Sequence, residues 1–179
     1  MMKAWTWTIL AAVCVALVGA AALTARAEEA KKDEAKKTEK EVTIDQVPAA
    51  VKATIEKEAG TNKIEKIEEI TKGDEKCYEA EWEIDGKDVE IKVAADGKLI
   101  EKEVEIAIDQ VPAAVKATIE KEAGAAKIEE ITEVTKGADK FYEAKWEAGG
   151  KEIELKVAAD GKVIDKKTEE AEKGNNEEK

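Results

Sequence analysis

Residues 78–93 read Tyr-Glu-Ala-Glu-Trp-Glu-Ile-Asp-Gly-Lys-Asp-Val-Glu-Ile-Lys-Val. Apolar and charged residues alternate from Tyr78 to Ile84 and again from Val89 to Val93. A period of two is the mark of half-buried strands, and Asp85-Gly86 between them supplies the residues a two-residue hairpin turn requires. One face of this hairpin therefore carries Tyr78, Ala80, Trp82, Ile84, Val89, Ile91 and Val93. The other carries Glu79, Glu81, Glu83, Glu90 and Lys92.

Working outward, Asp96-Gly97 reads as a second two-residue turn, into a strand over residues 99–108 whose Ile100, Val104, Ile106 and Ile108 share parity. On the N-terminal side, Ile64, Ile67 and Ile70 recur every three residues, a spacing that suits a bulged strand over residues 63–72. Before it, Val47, Val51, Ile55 and Ala59 recur every four residues, the pattern of a helix with one narrow apolar face. Asp45 is its expected N-cap, Pro48 lies in its first turn and Gly60 is its expected C-cap. Such a helix needs an apolar surface, and the hairpin offers one. The unit is a helix followed by an antiparallel meander of about four strands, an α+β arrangement.

The unit occurs twice. At an offset of 64 residues, 41–103 aligns without gaps on 105–167 with 44 of 63 positions identical. Tyr142, Ala144 and Trp146 repeat the apolar face, while Glu143, Lys145, Glu147, Glu154 and Lys156 repeat the charged one. Two copies are too few for a solenoid, which leaves a duplicated domain, and a unit of this size buries only ~60% of its extended surface alone. The copies are therefore expected to pack together through one core or sheet. The division this gives is 1–27 signal peptide, 28–40 disordered Lys/Glu linker, 41–104 first repeat, 105–167 second repeat and 168–179 disordered tail.

The signal peptide is read from Lys3, the apolar run from Ala4 to Leu23, and Ala25-Arg26-Ala27 before Glu28-Glu29, with cleavage after Ala27. An uncleaved anchor of the same length is the other reading. Cleavage removes Lys3 and Arg26 and no acid, leaving 42 acids against 28 bases, all of them lysine. A nucleic-acid binder needs a basic stripe, and an anionic membrane surface needs the same. Neither partner fits. The expected location is periplasmic or secreted, without membrane contact after cleavage. One cysteine, Cys77, remains, so no internal disulfide can form; it is either an apolar filler at a strand start or a thiol for an intermolecular bond.

The order Val-Pro-Ala-Ala-Val-Lys on a helix, then Lys-Ile-x-x-Ile, Tyr-Glu-Ala and Asp-Gly-Lys resembles the PepSY-like, β-lactamase-inhibitor-like domains, twice over residues 41–167. The resemblance implies an exported bacterial protein of helix-plus-sheet fold, often in tandem. It also implies a non-enzymatic role in binding or inhibiting another envelope protein.

The residues agree on chemistry. With no His and no Ser, neither a Ser-His-Asp triad nor a Cys-His pair can be built. Zinc and copper sites lack their usual ligands and no Asp-x-Asp-x-Asp-Gly calcium loop occurs, so no catalytic, cofactor or metal residue is assigned. Glu79, Glu81 and Glu83 could raise one another's pKa, but Glu81 aligns with Lys145, so the duplication does not keep the cluster. Trp82 and Trp146 are expected in the core. The expected function is a non-catalytic module that binds a basic envelope or secreted protein, by the charged face Glu79, Glu81, Glu83, Glu90, Lys92, Glu143, Lys145, Glu147, Glu154 and Lys156 or by a free sheet edge. The alternative is an acidic structural or weakly calcium-buffering envelope protein with no specific partner.

Overall fold

The computed structural model describes residues 37–170. The signal-peptide stretch, residues 28–36 and residues 171–179 lie outside the described residues. Eleven elements follow in chain order: β1 (Lys37–Glu41), α1 (Ala49–Ala59), β2 (Ile64–Lys72), β3 (Glu75–Ile84), β4 (Lys87–Ala94), β5 (Leu99–Glu105), α2 (Ala113–Ala123), β6 (Ile128–Lys136), β7 (Asp139–Ala148), β8 (Lys151–Ala158) and β9 (Val163–Glu170). The strands form one nine-stranded antiparallel sheet in sequence order. The protein is α+β: two helices, each on a four-strand meander, within one continuous sheet.

The copies join where β5 pairs with β6, Glu101 opposite Lys136 and Glu105 opposite Thr132. The sheet is shared but the cores are separate. Val51, Ile55 and Ala59 of α1 pack on Tyr78, Ala80, Trp82, Val89, Ile91 and Val93; Val115 and Ile119 of α2 pack on Tyr142, Ala144, Trp146, Leu155 and Val157. Trp82 and Trp146 are at the bottom of these clusters, 1% and 0% exposed.

Local chemistry explains where the elements begin and end. Asp45 does not cap α1: the helix starts at Ala49, and Pro48 holds the N-cap position in an extended conformation without a side-chain cap. Asp45 instead takes a hydrogen bond from Lys52 Nζ at 2.7 Å, while Gln46 Oε1 closes the entry turn on the Thr43 N–H at 2.8 Å. Gly60 does end the helix, at φ 60°, its N–H donating to the Glu56 carbonyl. The Asp85-Gly86 turn has φ 53° and 75°, the left-handed pair a type I′ turn needs.

The Asp96-Gly97 connection is longer than the expected two residues. Strand β4 ends at Ala94 and β5 starts at Leu99, with the Ala94 N–H donating to the Lys98 carbonyl. Its glycine has a second duty: a Cβ there would lie 2.7 Å from the Ala50 carbonyl oxygen, so α1 rests on this loop, tied by Thr54 Oγ1 donating to the Gly97 carbonyl at 2.6 Å. Gly161, Ala114 and Thr118 repeat the arrangement.

The three-residue spacing in β2 is the bulge itself. A register shift between Ile64 and Lys66 puts Ile64 and Ile67 both on the helix side, opposite Trp82 and Ala80. Ile70, three residues on, then falls on the other face opposite Cys77. Ordered strand also extends into the expected linker and tail. Strand β1 occupies Lys37–Glu41 and pairs with β2 in the register that β5 uses with β6, and β9 runs to Glu170. Neither has an apolar alternation to announce it; both are strands because a neighbouring strand offers a ladder.

The charged sheet face as candidate functional site

All ten face residues lie on the side of the sheet turned away from the helices, and no described element covers that side. Strand pairing sets them in cross-sheet rows. One runs Glu41, Glu68, Glu79, Lys92, Glu101, Lys136 from β1 to β6; the next runs Lys66, Glu81, Glu90, Glu103, Val134, Phe141, Ala158 from β2 to β8. A third holds Glu143 opposite Lys156, and a fourth holds Lys145, Glu154 and Lys167. Because β5 and β6 pair, the face is continuous across both copies.

The face is not uniformly solvated. Glu79, Glu90 and Lys92 are only 5%, 8% and 9% exposed; Glu81, Glu143, Lys145, Glu154 and Lys156 are half-buried, and Glu83 and Glu147 are exposed. Long side chains lie along the sheet and shield one another: Lys92 pairs with Glu79, Lys136 reaches Glu101 at 3.0 Å, Lys156 reaches Glu143 at 2.7 Å, and the Lys156 ammonium sits 4.5 Å from the centre of the Phe141 ring. Apolar groups add to the shielding. Ile70, Cys77 and Val134 are buried on this face, so Cys77 fills space opposite Ile70 and Ala94.

Burial has electrostatic consequences. The Glu90 carboxyl is pushed up to about 9, first by burial and then by the charges of Glu79, Glu103 and Glu81, against the pull of Lys92. Its Oε2 is buried with no hydrogen-bond partner among the described residues. Glu103 is pushed to about 7, by burial and then by Glu143 and Glu101. Burial raises Glu81 as well, and Glu130, although Lys145 at 3.9 Å and a hydrogen bond from Thr132 work against it there. At neutral pH the middle of the face therefore holds a proton on Glu90. Among the described residues no group of three or more acid or thiol side chains is placed to hold an ion.

Residues 101 and 103 were missed by the sequence reading, which followed the apolar parity of residues 99–108. Their alternation with Ile100, Lys102 and Val104 was the available signal. The apolar strip inside the charged face had a fainter one, in Cys77 and its equivalent Phe141.

Fold and site together define a tandem helix-on-meander protein with a charged sheet face that no described element covers. The chain belongs to the PepSY-like family, described as "Putative beta-lactamase-inhibitor-like, PepSY-like", which matches at residues 28–101 and again at 84–165. Solved structures share the fold. A periplasmic protein, so described with the qualifier putative, from Bacteroides eggerthii superposes with a TM-score of 0.60 at 17% identity, over 71% of this chain and 93% of that one. A β-lactamase-inhibitor-protein-like (BLIP-like) protein from Bacteroides fragilis gives 0.55 at 18% identity, over 68% and 86%. No curated protein matches the sequence. Among the described residues no helix is long and apolar enough to cross a membrane.

Proposed function

We propose that this is an exported, non-catalytic module that binds a basic protein of the envelope or the secreted fraction through the charged face, with residues 1–27 removed on export. The observation that carries this reading is the face itself. It spans both copies without a break, bears acid-rich rows, and has no described element over it. Family membership supports a protein partner, as does the B. fragilis structure's description as BLIP-like. The periplasmic description of the B. eggerthii structure supports export. The domain division follows: repeats at 41–104 and 105–167, each bringing half of the face.

Burial dictates how to test it. Glu79 sustains a buried pair, so its reversal would damage the fold; Glu83 and Glu147 are exposed, and Glu81 is half-buried. The exported protein, immobilised, is expected to capture a basic protein saturably, and Glu81→Lys, Glu83→Lys, Glu147→Lys together should abolish capture, with affinity falling as salt rises. Capture that ignores both the triple variant and salt would place binding at a sheet edge instead. No capture by a folded protein would leave the acidic structural reading. Intact mass of the exported protein checks cleavage after Ala27. Inhibition is checked by whether the captured partner, when an enzyme, loses activity on binding.

A further inference from the structure

Strand β9 pairs with β8 on one side and with no described strand on the other. By the 64-residue repeat it is the counterpart of β5, whose corresponding edge is filled by β6. Just past β5, the Ile106 N–H donates to the Ile131 carbonyl across that junction at 2.8 Å. Even-numbered residues there turn their backbone groups toward β6, so in β9 it is Lys166, Thr168 and Glu170 that turn theirs to the open edge. There the Lys166 N–H donates to the adjacent Asp165 carboxylate at 2.9 Å, an exposed bond that a partner strand would displace. Helix α2 packs mainly on β7 and β8, and reaches β9 through the Glu122–Lys166 ion pair on the helix side of the sheet.

The sequence at this edge is Lys166-Lys167-Thr168-Glu169-Glu170: two positive charges, a neutral centre, two negative charges. We infer that two copies of this chain pair antiparallel through β9, about a two-fold axis at Thr168. In that register Lys166 faces Glu170 and Lys167 faces Glu169, and the symmetry repeats both, so all four charged contacts are between opposite charges. Thr168 faces itself. The residues whose backbone groups point outward fall opposite one another, as the closely spaced hydrogen-bonded pairs of an antiparallel ladder require.

Other two-fold registers are worse. Centring on Lys166, Lys167, Glu169 or Glu170 opposes that residue to itself, and a one-residue slip pairs side chains from opposite faces. Charge normally protects a strand edge from pairing. A run of one sign repels its copy, whereas this order attracts its own inverse, which is what an isologous interface requires. The opposite edge lacks the property: β1 reads Lys37-Thr38-Glu39-Lys40-Glu41, and the same operation about its midpoint sets Glu39 against Glu39.

The charged side chains already have internal contacts. Lys166 reaches Glu122 at 2.9 Å, Lys167 reaches Glu154 at 3.3 Å and Glu170 reaches Lys151 at 3.3 Å. These hold alternate side chains on their own faces, and an ammonium with three hydrogens can serve a second carboxylate. The inference stands on β9 alone and is independent of the partner assigned to the charged face.

Analytical ultracentrifugation of the exported protein over a wide concentration range tests it. The native protein is expected to dimerise, less so in high salt. The K166E/K167E variant and the E169K/E170K variant should each dimerise roughly 10- to 100-fold more weakly, since four opposed pairs become like pairs. An equimolar mixture of the two should form a heterodimer, and the variant carrying all four changes should again form a homodimer. Thermal unfolding followed by Trp fluorescence verifies that each variant is folded. A native protein that stays monomeric, or a dimer that keeps its affinity in both charge variants, overturns the inference.

Discussion

Three adjacent positions of the charged face carry one shared acid and two exchanged charges in the two copies, on the same strand pairing. Across β3, β4 and β5 they are Glu81, Glu90 and Glu103; across β7, β8 and β9 they are Lys145, Glu154 and Lys167. Like charges meet in the first copy, whereas in the second a central acid lies between two bases, with Lys167 at 3.3 Å from Glu154. The first row adjoins the junction of the copies and is the more enclosed. Duplication has kept the two helices identical and the sheet surface beneath them apolar. Ala148, Ile153 and Leu155 stand where the first copy has Ile84, Val89 and Ile91, because a packed core accepts apolar exchange and not charge. On the other face one arrangement stores a proton and the other forms ion pairs, on the same strand pairing.

The comparison breaks most visibly at the neighbouring ion pairs. Lys92 and Glu79 are nearly buried, their side chains 10% and 6% exposed, whereas the equivalent Lys156 and Glu143 are 25% and 19% exposed. Removing one partner of a buried pair strands a charge out of water, at a cost of about 3–5 kcal/mol, and exposed pairs contribute about 1 kcal/mol or less. Glu79→Ala should therefore lower the unfolding free energy in urea by about 3 kcal/mol or more, and Glu143→Ala by clearly less. Equal losses would mean that the two copies enclose this row alike.

The stored proton gives the next largest effect. Glu90, near 9 in the folded chain against an ordinary 4.5, and Glu103, near 7, hold protons that the unfolded chain releases. The folded state then binds more protons, so stability falls as pH rises. Their contribution is complete below about 4.5, that of Glu103 is lost by about 7 and that of Glu90 by about 9. Urea unfolding at pH 5, 7 and 9 should show this decline. Glu90→Gln, which keeps the shape without the titration, should flatten it and stabilise the protein at pH 9 by roughly 2 kcal/mol or more. A Glu90→Gln profile parallel to that of the native protein would overturn the assignment.

Exchanging the patterns sharpens the point. Glu81→Lys with Glu103→Lys gives the first copy the second copy's charge order, and should raise stability at pH 8 by about 1–2 kcal/mol as the ionised Glu90 gains two cations. Lys145→Glu with Lys167→Glu should shift it the opposite way. If neither exchange moves stability, the flanking charges are too well solvated to act on the central acid.

Much of this fold was legible from the 78–93 hairpin, because alternation is a direct record of which side of a sheet is buried. The duplication extended that reading to the second copy. Helix entry was less legible: Asp45 has the chemistry of a cap, but Pro48 fixes where the helix starts and Lys52 takes the Asp45 carboxylate. Strand β1 and the end of β9 left no pattern, since an edge strand of lysines and glutamates is specified by its neighbour's ladder and not by its own polarity. Placement of the candidate site followed from parity, but its burial did not. How far a glutamate is shielded depends on the side chains two strands away, and sequence spacing carries no measure of that.

The smallest expected effect bears most directly on function. Glu83 and Glu147 are equivalent, both exposed, and each faces another acid across its strand pair, Asp88 for Glu83 and Glu152 for Glu147. Replacing either by lysine converts a like-charge pair into an opposite-charge pair, so Glu83→Lys and Glu147→Lys should each stabilise the fold by a few tenths of a kcal/mol. Here the copies should agree, because neither position is enclosed. If partner capture weakens while thermal stability holds or rises, lost binding cannot be ascribed to lost folding. Weakening by Glu83→Lys alone would assign the partner to the first copy's half of the face, and weakening by both would require a partner that spans the β5–β6 junction.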